Sequence, residues 1–386
     1  MKPCTAEIGP MKDDWIGMPD DSDVTEPYPM LLEEQFFKQA IMRERKRADR
    51  SGLAMVMVLV ELPQCLMEQK VSGNAAVMNA LSVLASDVGI LGWFTSSYVI
   101  GLIMPEIDPA DVGGACDRIT STVKSAVTPQ SNDGLARRIS IKLLVYPEPT
   151  PSNSEQVPSL DLALYPDLSA DYPGTSQAHL FKRGMDIVLS SMLLLLFLPV
   201  FAFIAVLVKL SSPGPVLFKQ VRVGHLMKPF TMYKFRSMHA TADHRVHHDY
   251  VSWFITTSNQ AQSEQNLDIF KLTNDTRITA IGRLLRRTSL DELPQIWNVL
   301  MGDMSLVGPR PPLLYELQQY KPWHRGRVLE AKPGMTGLWQ VVGRSRTTFD
   351  EMVRLDLRYA RTQSLWIDIM ILLATPKAVI SGKGAC

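Results

Sequence analysis

The chain has 386 residues, and 40 Lys and Arg stand against 39 Asp and Glu, a near-balance that hides a polarity: residues 1–180 hold 14 cations and 24 anions, residues 181–386 hold 26 and 15. A basic second half points to an anionic partner, whether nucleic acid, a phosphorylated substrate or a lipid surface. Four widely spaced cysteines, Cys4, Cys65, Cys116 and Cys386, form no CxxC pair, which argues against a disulfide framework or a zinc site and fits a reducing compartment.

Residues 1–29 are acidic, rich in proline and polar side chains, and are expected to be disordered. They contain no apolar run of the kind that marks a secretory signal, so none is expected. A helix is predicted from Leu31 to about Asp49, then a buried strand over 52–62 and a helix over 65–86. The stretch 89–105 reads as two strands joined by a turn, 108–126 as a helix and 138–146 as a last strand. The order β-α-β-β-α-β after a leading helix predicts a ferredoxin-like α+β domain over 30–146. This order and its hairpin resemble a diguanylate-cyclase-type domain in degenerate form. That family holds metal and nucleotide with acids at the hairpin turn. Here the turn is "GWFTSSY", and no Asp or Glu lies between Asp87 and Glu106, which implies a catalytically silent domain. Six prolines, at 147, 149, 151, 158, 166 and 173, mark residues 147–177 as a linker.

The second half, 178–386, opens on an uncharged run of 22 residues, Ile187–Val208. As a helix it is ~33 Å long, enough for a hydrocarbon core of ~30 Å. Lys182 and Arg183 precede it, and Lys209, Lys219 and Arg222 follow. A single span favours cations on one side. Cations on both sides suit a re-entrant helix over 185–210 that enters, breaks at Leu198–Pro199 and returns to the same face, because proline removes a backbone donor. A kinked single span is the alternative. Near the end, Trp366, Ile367, Ile369, Met370, Leu372 and Leu373 suit an amphipathic helix at a membrane interface.

Between these lie the stretches that carry chemistry. In "YKFRSM", strand alternation places Lys234 and Arg236 on one face. In "RRTSLDELPQIWNVLMG", Arg286 and Arg287 precede the adjacent acids Asp291 and Glu292. Ser289 and Glu292 fit a capping box; Leu293, Ile296, Trp297 and Leu300 follow as an apolar stripe, and Gly302 ends the helix. On that spacing Asp291 faces away from the packing side. Acids in a first turn also complement the helix dipole, with no chemistry implied. Against that stand the arginines upstream, Arg277, Arg283, Arg286 and Arg287, and Arg310 in the proline-framed "GPRPP". A rigidly held guanidinium suits bidentate phosphate binding. A carboxylate among cations can share Mg²⁺ with a diphosphate or attack phosphorus covalently.

Taken together, "FKRGMDIVLS", the proline-broken apolar run, "SPGPVLFKQVRVG", "YKFRSM", the Asp291–Glu292 stretch through "GPRP", "KPGMTGLWQVVGR" and the closing helix resemble the bacterial sugar transferases, the monotopic polyprenyl-phosphate phosphoglycosyl transferases. The resemblance covers about residues 181–386. It implies a membrane catalytic domain with a small α/β core on the cytoplasmic face of a bacterial inner membrane. The implied reaction moves a sugar-1-phosphate from a UDP-sugar to polyprenyl (undecaprenyl) phosphate through a covalent intermediate, as the first membrane step of exopolysaccharide or other glycoconjugate synthesis. Asp291 is the implied nucleophile and Mg²⁺ ligand, and Glu292 assists. Lys234, Arg236, Arg286, Arg310 and Arg344 are the implied phosphate or nucleotide contacts. A membrane-anchored signalling or scaffold protein with an inactive rear is the rival reading, and a homodimer is compatible with either. The lack of basic–aromatic interleaving argues against nucleic acid. Segment 239–272, with His239, His244, His247 and His248, is longer than the family core requires, and its histidines are read as polar loop.

Overall fold

The computed structural model describes residues 31–61, 72–85, 88–96, 98–127, 140–148, 160–168, 176–239, 252, 255, 277–343 and 347–380. Residues 1–29, most of 239–272 with His244, His247 and His248, and Arg344 lie outside the described residues.

The front part contains α1 (Glu34–Ser51), β1 (Ala54–Glu61), α2 (Ser72–Ala85), β2 (Ile90–Thr95), β3 (Val99–Ile107), α3 (Val112–Val127) and β4 (Ser140–Tyr146). Its sheet has the order β2-β3-β1-β4 with every pair antiparallel, the arrangement a ferredoxin-like β-α-β-β-α-β order predicts. Strand β1 is buried on both faces. Val56, Val58 and Val60 join Leu81 of α2 and Ile119 and Val123 of α3 in one core. Met55, Met57 and Leu59 turn the other way, into a core with Phe37 and Ile41 of α1. This is the period-2 alternation of a strand covered twice. A Cβ at Gly92 or Gly101 would run into the Phe37 ring, so glycine lets α1 lie directly on the β2–β3 hairpin. Glu34 of α1 then accepts from Ser96 N–H (2.8 Å) and Ser96 Oγ (2.7 Å), closing the acid-free hairpin turn.

Where it is described, the proline-rich stretch expected as a linker is packed. Two short 3-10 turns, Leu162–Leu164 and Pro166–Leu168, bury Leu164 and Tyr165. Arg45 of α1 donates to Leu164 O and to Asp167 Oδ1, both at 2.8 Å, and lies 4.2 Å from the Tyr165 ring centroid. Tyr165 donates to Glu148, whose main-chain oxygen accepts from Arg325 of the second half at 3.1 Å. Residues 148 and 160–168 thus form a strap between the two halves.

The second half begins with α4 (Ser176–Ser211), followed by the hairpin β5 (Leu217–Val223) and β6 (Pro229–Phe235). Then come α5 (Ala280–Arg287), a 3-10 turn at Leu290–Glu292, α6 (Gln295–Met301), β7 (Ser305–Val307), α7 (Leu314–Gln318), a 3-10 turn at Pro322–Arg325, α8 (Gly326–Leu329) and β8 (Gly334–Thr336), parallel to β7. The chain continues into α9 (Leu338–Val342), α10 (Phe349–Thr362) and α11 (Leu365–Ile380).

Helix α4 comprises 36 residues, and its helical turns continue on both sides of Pro199, where the break is expected. Proline deletes one donor from the ladder, and the flanking turns carry the helix through. Both flanks of α4 are nevertheless held by one body. Lys182 donates to Asp368 Oδ2 (2.6 Å), Arg183 to the C-terminal carbonyls of α6 at Val299 (2.6 Å) and Leu300 (2.7 Å), and Asp186 accepts from Leu306 N–H (3.0 Å). On the far flank, Ile204 and Val208 pack on Phe235 and Leu285. Between them Leu195, Leu196 and Leu198 are exposed. Among the described residues α4 is the one helix long and apolar enough to cross a membrane.

Candidate active site

The site is built where β6 meets the turn between α5 and α6. Thr279 caps α5 by accepting from Gly282 N–H at 2.9 Å. Helix α5 ends at Arg287, and the chain reverses through Ser289, which takes a left-handed φ of 56°. A non-glycine residue there is uncommon and stores strain. The reversal places Asp291 and Glu292 on a single 3-10 turn facing the β5–β6 hairpin.

Lys234 of β6 donates to Glu292 Oε1 at 2.8 Å. The register of this meeting is set by Asn298 of α6, wholly buried. Its Oδ1 accepts from Tyr233 N–H (3.1 Å), and its Nδ2 donates to Thr231 O (2.7 Å). Arg286, in the last turn of α5, donates from Nε to Ser237 Oγ (2.9 Å) and attracts the Asp291 charge. Arg310 is exposed, on the loop after β7, near enough to act electrostatically on both Glu292 and Lys234.

The two acids diverge in charge behaviour. Burial, then the Glu292 charge, push the Asp291 carboxyl above the ordinary carboxylate range, against the pull of Lys234 and Arg286. Burial acts on Glu292 in the same sense, but Lys234, Arg310 and Arg222 outweigh it and hold Glu292 at about 2. Burial also pulls the Lys234 ammonium down, opposed by Glu292. Neighbouring carboxyls pushed apart in this way are suited to separate roles. Glu292 is a fixed anion bound to a half-buried lysine. Asp291, 8% exposed, has no Lys or Arg within ion-pair distance among the described residues, so its carboxylate remains available to a ligand.

Several sequence-based expectations need correction. Strand β6 ends at Phe235, so alternation does not carry on to Arg236. The Arg236 guanidinium is buried and donates to Val208 O (3.2 Å), Ser212 O (2.6 Å) and Ser212 Oγ (3.0 Å), capping the end of α4 rather than joining Lys234. The Ser289–Glu292 capping box does not form, because Ser289 is left-handed and Glu292 is engaged by Lys234. Asp291 faces inward rather than away from the packing side. Ile296 and Val299 form the buried apolar positions of α6, while Trp297 is 49% exposed. Arg283 and Arg287 point to solvent. Asn298 was missed: an Asn inside an apolar helix pattern was the signal available.

The fold sets a carboxylate pair among cations, in a body that also carries one helix long and apolar enough to cross a membrane. The family described as bacterial sugar transferase matches residues 177–382, and the chain belongs to that family. The chain is 43% identical over 212 residues to the UDP-glucose:undecaprenyl-phosphate glucose-1-phosphate transferase of Escherichia coli K12, covering 53% of this chain and 41% of that protein. It is 38% identical over 204 residues to the exopolysaccharide production protein ExoY of Rhizobium meliloti, covering 53% of this chain and 87% of that one. The chain matches about two fifths of the length of the first curated relatives. A solved structure of a DGC protein from Thermotoga maritima overlaps 32% of this chain and 87% of its own, at 13% identity and a TM-score of 0.25.

Proposed function

We propose that the chain is a phosphoglycosyl transferase that moves a sugar-1-phosphate from a UDP-sugar to undecaprenyl phosphate. The observation that carries this is Asp291, buried and without a cation in ion-pair contact among the described residues, with Lys234 and Arg286 acting on its charge and Arg310 acting on the adjacent Glu292. The name of the Escherichia coli relative supplies the substrate pair.

In the first step an Asp291 carboxylate oxygen attacks the phosphorus that bears the sugar. A new Asp–O–P bond forms, the bond from that phosphorus to the bridging oxygen breaks, and UMP leaves with the electron pair. In the second step a phosphate oxygen of undecaprenyl phosphate attacks the same phosphorus, giving the diphosphate-linked sugar and freeing Asp291. Arg286 and Arg310 offset the charge repulsion between a carboxylate and an incoming diphosphate. Lys234 keeps Glu292 in place and ionised, and burial, with the Glu292 charge adding to it, keeps the Asp291 carboxyl basic for a carboxylate, a better nucleophile.

A Mg²⁺ ion fits this donor chemistry. Among the described residues no group of three or more His, Cys, Asp or Glu side chains holds a metal alone. Mg²⁺ needs one or two carboxylates when substrate phosphates complete its shell. Asp291 would hold it, and when bound it supplies charge neutralisation at the diphosphate.

The membrane half of the reading places both flanks of α4 on the cytoplasmic face of a bacterial inner membrane, with the segment around Leu198 buried in one leaflet. It is supported by the flank contacts of Lys182, Arg183, Ile204 and Val208 to one body. Trp297, Trp366, Met370 and Leu373 are further exposed apolar side chains suited to that interface. The assay is transfer of label from a radioactive UDP-sugar into an organic-soluble lipid in the presence of undecaprenyl phosphate. Label that stays in water with every sugar tried contradicts the reading. Cysteines placed at positions 180 and 212 should both resist impermeant thiol reagent added outside intact cells; modification of one marks a true span.

A further inference from the structure

The loop that carries Arg310 is gripped at four consecutive carbonyls. The Pro309 oxygen accepts from Gly334 N–H at 2.8 Å and the Pro312 oxygen from Val223 N–H at 3.0 Å. The two oxygens between them are held by guanidinium groups. Arg327 Nη2 donates to Arg310 O at 3.2 Å, and Arg222 Nη1 donates to Pro311 O at 2.8 Å. Prolines at 309, 311 and 312 restrict φ at three of the four residues.

Both guanidinium groups are buried: Arg222 is 4% and Arg327 is 2% exposed. Arg327 is balanced by Asp356 at 2.6 Å. Arg222 has no carboxylate within ion-pair distance among the described residues, and its Nε and Nη2 both donate to Gln220 Oε1, at 3.1 and 2.9 Å. The Glu316 and Glu292 charges offset part of the cost of burying this cation, and its fork of donors holds Pro311 O and Gln220 Oε1 at once. Burial pulls the Arg222 pKa down to about 10, which leaves it charged at neutral pH.

We propose that Arg222 and Arg327 are positioning residues of the anion site, fixing the backbone on which Arg310 stands so that its guanidinium is aimed at a diphosphate. Neither touches the substrate; both act through Arg310. The inference rests on the reading of Arg310 as a phosphate-binding group.

The test is a double-mutant cycle on the full chain in lipid nanodiscs, with Arg222→Met, Arg310→Ala and the combination. Two quantities are read: KM and kcat for the UDP-sugar, and Kd for inorganic pyrophosphate with Mg²⁺. Arg222→Met should raise KM and the pyrophosphate Kd by about tenfold, and Arg222→Lys should restore part of this. In the Arg310→Ala background the same change should matter by less than about twofold, because residues that act through one group are not additive. A general loss of structure would instead lower kcat with KM unmoved. If Arg222→Met does not fold, Gln220→Ala loosens the same guanidinium from its other side and enters the same cycle. Independent, multiplying effects overturn the proposal. A chain that follows the cycle with pyrophosphate but turns over no UDP-sugar leaves this inference standing and removes the transferase reading; turnover with independent effects does the reverse.

Discussion

The interior of the front sheet is made of alternating apolar side chains, Val56, Val58 and Val60 on one face and Met55, Met57 and Leu59 on the other. The interior of the second half is laced with charge: Lys182, Asp186, Arg222, Arg236, Asp291, Arg325, Arg327, Asp356 and Asp368 are all buried. Apolar burial is a sum of many weak, non-directional terms and fixes a shape without preferring a chemistry. Each buried charge is costly by itself and persists where it is paired or where it positions something. In the second half these groups hold α4, α11 and the Arg310 loop, and one of them is the proposed nucleophile. The front sheet looks like scaffold by this measure, and the second half like a site with its supports.

That contrast can be broken or sharpened by mutation. The largest effect is expected at Asp291→Asn, which should lower turnover by about 10⁴-fold or more while thermal unfolding stays near wild type, because an amide is a poor nucleophile and a poorer magnesium ligand. Next is Asp356→Asn. It leaves Arg327 buried without its counter-charge and should destabilise the second half by about 3–5 kcal/mol in urea titrations. In the front sheet, Leu102→Ala opens a cavity at a wholly buried position and should cost about 3 kcal/mol of stability with KM unchanged. A change in KM from Leu102→Ala would show that the strap through Glu148 and Arg325 transmits more than attachment.

The smallest effect concerns His324, wholly buried and 2.9 Å from Asp350. Burial lowers its pKa to about 4, with Asp350 pulling the other way, against an ordinary value of 6.5. The folded state therefore binds a proton less readily than the unfolded chain. The stability contributed by neutral His324 is present above about pH 6.5 and is lost as pH falls towards 4. Relative to pH 7, wild type at pH 4.5 should lose on the order of 1–2 kcal/mol more than His324→Gln. Equal losses would mean that another group governs acid unfolding.

The sequence was legible where physics is local. The short apolar run in 52–62 marked β1 as a buried strand, found at 54–61, and Gly302 marked the end of α6, where it takes a φ of 95°. The acid pair and Arg310 were legible because a proline-framed arginine and adjacent carboxylates are unusual neighbours, and because the motifs resemble a family. What escaped was set by distant partners. Arg236 is committed to Ser212, and Arg222 to a carbonyl 89 residues away. Asn298 reaches Thr231 across 67 residues. No spacing rule relates such pairs. The left-handed Ser289 hid for the same reason: the capping pattern was present, but Lys234, 58 residues from Glu292, won its carboxylate.

The central claim is a covalent phosphosugar on Asp291, and intact-mass spectrometry of the full chain tests it most directly. After brief incubation with Mg²⁺ and a panel of UDP-sugars, without undecaprenyl phosphate, one sugar should add the mass of a single sugar phosphate less water. The added mass should disappear when undecaprenyl phosphate follows, and should never form on Asp291→Asn. Turnover of a UDP-sugar with no adduct at any time, or an adduct that persists in Asp291→Asn, would contradict the account.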